Sequence, residues 1–351
     1  MFKHVNPDFI NNQNKVMEFT YFIGTDVSKN ELDFAVMQGK TLLFHKELPN
    51  NPQHIIAFLK ELSKLPGFTL GHAVFCMEHT GIYGNHLLAC LHKKKANICL
   101  EAASQIKNSL GNIRGKNDKV DAIRIAEYAY KNRDELRLWQ PKRGIIQQLA
   151  HLSATRSRLI EAQKSLKTPL KEAGAFIDKK LVKQNDRLCA KTLIAIQADL
   201  EKVGNAIDDI ISADLELKRL FSLVTSVSGI GKVTATMIII STNEFKDIKD
   251  PKKFACHAGI APFVKESGLF RGKARVSHMA NKKLKTLLHL SAMVSIQYNE
   301  ELRHYYQRKV LTDKKNKMST INAVRNKLIL RVFACVNQNR PYEKNYQRLV
   351  A

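Results

Sequence analysis

Tyr21-Phe22-Ile23-Gly24-Thr25-Asp26-Val27-Ser28-Lys29 is the stretch on which the fold of this chain turns. An apolar, aromatic run passes through a glycine and a threonine and meets a carboxylate. Ser28-Lys29-Asn30 follows as a turn, and a second apolar run extends from Leu32 to Met37. This is the pattern of a buried strand that ends in an acid and folds back as a hairpin. Glu78 ends another apolar run, Ala73-Val74-Phe75-Cys76-Met77. Asp118 and Asp121 lie in Lys116-Asn117-Asp118-Lys119-Val120-Asp121, where a helix is expected to start and their spacing puts both on one face. Any one of these acids is also what a turn or a helix start favours. The ordered set, on strand ends in a very basic chain, points instead to a pair of hard cations, magnesium or manganese, held by oxygen ligands. Two such ions roughly 3.5–4 Å apart clamp the attacking and leaving oxygens of a phosphodiester.

The chain has 351 residues and a formal charge of +25, enough length for two or three domains and an excess charge that only a polyanion neutralises well. Nucleic acid is the expected partner, and an anionic membrane surface the weaker one. No run of 18 apolar residues is present, so no transmembrane helix is expected. The six cysteines have no paired spacing and several sit in apolar runs. Reduced, buried thiols in a cytoplasmic protein fit that pattern, and a zinc site does not; with nucleic acid as partner, the expected location is the cytoplasm, in association with the nucleoid.

Residues 1–18 read as a polar leader. Over 19–140 the expected order is strands at 20–26, 31–37 and 41–46, a helix at 52–65, a strand at 72–78, a helix at 82–93 and a strand at 96–100. A polar loop with Ser104, Asn108, Gly111 and Gly115 and a helix at 118–131 follow. Three antiparallel strands followed by alternating helices and strands make a mixed α/β sheet in the order of an RNase H-like domain, with the first strand central. Pro141-Lys142-Arg143-Gly144 marks a boundary. The segment 141–220 is polar and helical, and Leu193, Ile196, Leu200, Val203, Ile207, Ile210 and Leu217 keep a three-four alternation. That is a coiled-coil seam, broken near Pro169 and Gly174 into two arms, which serves either this chain's own core or a second copy.

The segment 221–351 is mainly helical. Ser228-Gly229-Ile230-Gly231-Lys232 reads as a tight turn opening a helix, like a helix-hairpin-helix grip on a DNA backbone, through Gly229, Gly231 and Lys232. A plain interhelix turn is the alternative. Ser267 sits in a loop followed by Arg271, Lys273 and Arg275; on spacing alone it is an ordinary loop hydroxyl. Lys282 opens another helix. A last helix near 319–336 carries Arg325 and Arg331 on an expected phosphate-facing side.

Taken together, the chain resembles the DEDD-type insertion-sequence transposases, the family that includes the Piv DNA invertases. The resemblance rests on Gly24 to Lys29, Met77-Glu78-His79-Thr80-Gly81-Ile82-Tyr83, Lys116 to Ala122, Gly229-Ile230-Gly231 and Ala258-Gly259-Ile260-Ala261-Pro262. It implies a RuvC-like (RNase H-like) catalytic domain, a coiled-coil middle and a C-terminal transposase domain. It also implies that Asp26, Glu78, Asp118 and Asp121 are a metal-binding tetrad and that Ser267 is a nucleophile that links covalently to DNA. A structured RNA encoded by the element would guide target choice, and a dimer or tetramer joined through the coiled coil would let serine and tetrad come from different protomers. Three departures stand out. Ser228 replaces a usual proline, Glu266 stands beside the single serine, and Ser277-His278-Met279-Ala280-Asn281 replaces a usual Ser-Lys-x-Gly-Asn. The competing expectations are a junction-resolvase-like nuclease using the tetrad with water, a site-specific invertase, and a non-catalytic nucleic-acid-binding scaffold.

Overall fold

The computed structural model describes residues 18–79, 81–109, 117–264, 266–268, 270–272, 274–277 and 280–344. Most of the polar leader, and Thr80, Gly111, Gly115, Lys116, Lys273, His278 and Met279, lie outside the described residues. The chain divides into two compact units, Met1–Pro141 and Lys142–Ala351.

In the first unit, strands β1 (Tyr21–Val27), β2 (Glu31–Gln38), β3 (Thr41–Pro49), β4 (Ala73–Glu78) and β5 (Asn97–Glu101) form one sheet in the order β3-β2-β1-β4-β5. Helices α1 (Pro52–Leu62), α2 (Asn85–Lys93), α3 (Ala103–Ser109) and α4 (Asp118–Lys131) flank it. β1 pairs antiparallel with β2 and parallel with β4, so the mixed sheet has its first strand in the middle, as an RNase H-like order requires. Side chains of successive strand residues leave opposite faces. Tyr21, Ile23, Leu32, Phe34 and Phe75 pack with Phe58 and Leu62 of α1 and Leu87 of α2. Phe22, Ala35, Val74, Cys76 and Cys99 pack on the other face with Ile106 of α3 and Ala122, Ile125 and Ala126 of α4. The segment expected as a polar loop therefore contains a short helix; Ile106, buried against Cys99 and Cys76, is what makes one face of it apolar.

α4 lies directly on β1, because β1 carries a glycine under it. A Cβ on Gly24 would stand 2.2 Å from the carbonyl oxygen of Ala122 and 2.3 Å from the amide nitrogen of Ala126. Gly24 and the alanines at 122, 126 and 129 thus let two backbones approach where any larger pair would hold them apart.

The second unit is mostly helical: α5 (Gly144–Ala173), α6 (Lys179–Ala213), α7 (Leu215–Thr225), α8 (Lys232–Thr242), α9 (Pro251–His257), α10 (Lys282–Tyr298), α11 (Glu300–Gln307) and α12 (Lys317–Asn337). Four two-residue strands lie between α9 and α10: β6 (Pro262–Phe263), β7 (Glu266–Ser267), β8 (Phe270–Arg271) and β9 (Arg275–Val276). Its core gathers Leu217, Val224, Ile238, Phe254, Leu288, Val324, Leu328 and Phe333. α5 and α6 form an antiparallel hairpin: Gln163 donates to Gln197 at 3.1 Å and Leu149 packs with Ile207. Val203, Ile207 and Ile210 of the expected seam therefore meet Leu149 and Leu152 of this same chain. Two details of the expectation are corrected. Pro169 lies inside α5, with the break at 174–178, and Leu217 belongs to α7 rather than to the long helix.

Candidate functional site

The alternation that buries Phe22 and Val74 beneath α3 and α4 also decides where the acids go. Asp26 is four residues after Phe22 and Glu78 four after Val74, so both leave the sheet on the α4 face at the same strand ends. α4 starts beside them. Asn117 caps it, accepting a hydrogen bond from the amide of Val120 at 2.8 Å, and this places Asp118 and Asp121 in the first turn. Asn50 ties the two strand ends together, donating to the carbonyls of Ser28 and Tyr83 at 2.9 Å each.

The four carboxylates share one electrostatic environment. The Asp26 carboxyl is pushed up to about 6, first by burial and then by the charges of Asp118, Asp121 and Glu78, while the amide of Val27 donates to it at 3.1 Å and opposes the rise. Asp121 is bonded to Arg124 at 2.7 Å, one turn along α4. Among the described residues, no three carboxylate, imidazole or thiol groups stand close enough together to hold an ion as they are. The donors nevertheless fit a hard divalent cation: all are carboxylates, three of them disfavour the charge of Asp26, and an added positive charge would relieve that repulsion.

Two further acids on this face escaped the sequence reading. Asp33 stands opposite Asp26 in the β1–β2 register, is buried, and is bonded to Nε2 of His45 at 2.7 Å. Glu101 stands opposite Glu78 in the parallel β4–β5 register. Beneath them the Cys76 thiol is pushed up by its hydrogen bond to Cys99, by burial and by the nearby charges of Glu101 and Glu78. The available signal was an acid inside or at the end of an apolar strand run, the same signal that marks Asp26 and Glu78.

In the second unit, Ser267 is exposed on β7, which pairs with β8 in a tight hairpin around Gly268, a glycine at φ +56°. The stem of this loop is pinned at both ends. The amide of Asn281 donates to the His257 carbonyl at 3.0 Å, and Asn322 of α12 donates to the Ile260 carbonyl at 2.7 Å. Gly259, at φ +64°, faces Ala280: a Cβ built on Gly259 would lie 2.4 Å from the Ala280 methyl. The Ala280 departure is thus accommodated against a glycine.

The expected nucleic-acid contacts divide. Gly231 caps α8 with open space around it, whereas Gly229, at φ +91°, is packed on α10: a Cβ there would stand 1.9 Å from Ser295 Oγ and 2.7 Å from the Ser291 carbonyl. Lys232 is exposed and paired with Asp208 at 2.7 Å. Arg275 and Lys282 are exposed, Arg271 lies in β8, and Lys273 is outside the described residues. The expectation that Arg325 faces phosphates is corrected: it is 6% exposed and bonded to His289 Nδ1 and Asn322, and its Nε has no partner among the described residues. Its apolar neighbours on α12 carry it into the core. Arg331 is held by both oxygens of Glu301 at 2.6 Å and lies over the Tyr342 ring.

Two family models match the chain, one described as a DEDD transposase of the IS110 type over residues 23–173 and one as a transposase of the IS116/IS110/IS902 family over residues 221–307. The pilin gene-inverting protein of Moraxella bovis is 26% identical over 328 residues, covering 92% of this chain and 98% of that protein. The pilin gene-inverting protein of Moraxella lacunata matches over the same extent. An uncharacterized 43.6 kDa protein of insertion element IS110 from Streptomyces coelicolor is 26% identical over 138 residues, 39% of this chain and 34% of that one. Among the described residues no helix is long and apolar enough to cross a membrane.

Proposed function

The chain belongs to the IS116/IS110/IS902 transposase family and is a DNA transposase or recombinase, and from that premise we propose that it breaks and rejoins strands through a serine and a carboxylate-held metal. The observation that carries the reading is the crowding of acids at the end of the central strand, where burial first, and then the charges of Asp118, Asp121 and Glu78, push Asp26 up to about 6. A half-buried carboxylate in the field of three further acids is an arrangement that a cation would stabilise. Asp26, Glu78, Asp118 and Asp121 would hold magnesium or manganese, whose charge would offset the negative charge developing on a phosphoryl group under attack.

Ser267 is the proposed nucleophile. Its Oγ forms a bond to phosphorus as the sugar oxygen of the broken strand departs; the serine loses one proton and the departing oxygen gains one. A phosphoserine ester keeps the energy of the phosphodiester, so attack by another strand's hydroxyl reseals DNA and restores the serine. The exposed hairpin, pinned at its stem by Asn281 and Asn322, suits a nucleophile that must reach a bulky strand. The basic surface residues Arg275 and Lys282 would hold backbones, and a structured RNA read by base pairing would choose the target. A second copy is the proposed partner in the assembly.

A site-specific inversion is the second reading, favoured by the full-length match to the pilin gene-inverting proteins. Both readings share the serine, and one experiment tests it. The protein, its element-end DNA, cognate RNA and magnesium are incubated, denatured and resolved for a protein–DNA adduct. An adduct from the wild type that is absent with Ser267→Ala and Asp26→Ala supports the proposal. Cleavage without an adduct, surviving Ser267→Ala, replaces it with a resolvase-like nuclease that uses water; binding unaffected by either change and indifferent to magnesium leaves a scaffold.

A further inference from the structure

The helices of the second unit border a solvent-open cavity of about 160 Å3, lined from α5, α6, α8 and α10. On the scale at which a single water needs roughly 10–15 Å3, this is room for on the order of ten waters, so a flat organic group can enter. Ile207, Val233 and Met237 give its lining apolar surface, while Arg156 of α5, Lys283 of α10 and the pair Lys232 and Asp208 give it charge.

The charge of Arg156 and Lys283 is only partly offset, by Glu161 near Lys283. Lys283 reaches the Ser153 carbonyl at 3.5 Å, and among the described residues no carboxylate is bonded to it or to Arg156. Burial holds the Lys283 ammonium below its ordinary range; Glu161 opposes that fall and Arg156, the weakest of the three influences, adds to it. Lys232 also lines the cavity, but Asp208 already satisfies it at 2.7 Å.

A glycine keeps the cavity open. Gly204 lines it from the interior of the 35-residue helix α6, where glycine weakens a helix relative to any ordinary residue. Close packing does not require it: a Cβ built at Gly204 meets nothing within 4 Å. At Gly24 and Gly229, by contrast, the missing side chain makes room for a neighbouring element. At Gly204 it leaves open space beside the cavity.

We propose that this cavity receives one unstacked nucleotide of a nucleic-acid strand, its base against Ile207, Val233 and Met237 and its phosphate between Arg156 and Lys283. A lining that combines apolar surface with Arg156 and Lys283 matches a group that is flat and apolar on one side and anionic on the other. A nucleotide is the form of that chemistry a chain of charge +25 in a DNA-recombining family meets. A base inside a duplex cannot enter without leaving its stack, so the site discriminates single strands from double. The proposal depends on neither Ser267 nor the tetrad, so it and the serine mechanism can fail separately.

The test uses the full chain in EDTA, so that binding is read without cleavage, with short fluorescent single-stranded DNA, single-stranded RNA and duplex DNA across a salt series. Gly204→Leu fills the cavity and keeps every charge. It is expected to unfold no earlier than wild type, to weaken binding of one or both single strands by roughly 5- to 150-fold, and to leave duplex binding unchanged. The strand type that loses more identifies the source as RNA or DNA. Arg156→Gln with Lys283→Gln is expected to weaken the same strand and to lower its salt slope by about 0.7, the contribution of one phosphate. Wild-type single-strand binding by Gly204→Leu, or an equal loss for duplex and single strands, overturns the proposal. If Gly204→Leu lowers the unfolding temperature, the double glutamine variant decides: a salt slope equal to wild type overturns it.

Discussion

Replacing Asp26 by Asn removes a charge that the surrounding acids disfavour and keeps the oxygen that accepts from the Val27 amide. The folded-state value of about 6 lies above the ordinary value of 3.8 because burial and the charges of Asp118, Asp121 and Glu78 penalise the ionised form. A raised carboxyl contributes stability that is fully present below pH 3.8 and is lost as pH rises through about 6. Two pH units correspond to about 3 kcal/mol at most. The side chain is only half-buried, and solvent screening brings the expected penalty to about 1–1.5 kcal/mol at neutral pH. Urea unfolding in EDTA at pH 7.5 should therefore find Asp26→Asn more stable than wild type by about that amount, with the difference shrinking towards zero between pH 6 and pH 4. Magnesium at ten times its dissociation constant should stabilise wild type by about 1.4 kcal/mol and the variant far less, while recombination by the variant is abolished. A variant less stable than wild type in EDTA, or equally stabilised by magnesium, would refute the argument that Asp26 is held in a repulsive cluster awaiting a cation.

Three other outcomes follow from the packing. Gly24→Ala places a Cβ 2.2 Å from the Ala122 carbonyl, backbone against backbone, so α4 must lift from β1 and carry Asp118 and Asp121 with it; a stability loss of about 1–3 kcal/mol and near-complete loss of recombination are expected by urea unfolding and strand-exchange assay. Gly229→Ala combines a φ of +91° with a clash at Ser295 Oγ, and adding Ser295→Ala should restore only part of the loss of about 1–3 kcal/mol, because the Ser291 carbonyl remains 2.7 Å away; full rescue in thermal unfolding would contradict this. Arg325→Met removes a buried guanidinium that has no carboxylate bonded to it among the described residues; stability should stay level or rise, and the salt slope of DNA binding should not change, whereas Arg275→Gln should lower that slope by about 0.9.

How far the chain could be read without its structure is clearest at particular residues. The strand ending at Asp26, the strand ending at Glu78 and the helix opening at Asp118 follow from local patterns: alternation, apolar runs and an asparagine cap. The family motifs likewise lie along contiguous stretches, which is why they can be recognised in order. What these signals carry is which acids face the same way along each element. The sequence alone therefore determined the mixed sheet, its central first strand and the acids at its ends.

Tertiary structure decided the distances and the roles of residues whose neighbours are far along the chain. Gly24 is a contact surface for Ala122 and Ala126, about a hundred positions on, and nothing near Gly24 in sequence announces it. Asp33 and Glu101 join the acidic face only through strand register. Arg325 reads as a phosphate contact by type and is buried because Val324, Leu328 and Val332 carry its helix into the core. Val203, Ile207 and Ile210 of the long-helix heptads meet Leu149 and Leu152 of the preceding helix. The physical reason is common to all four. Backbone propensity and periodicity act over a few residues, whereas burial, Coulomb repulsion and close approach depend on separations in space, which only the packed chain supplies.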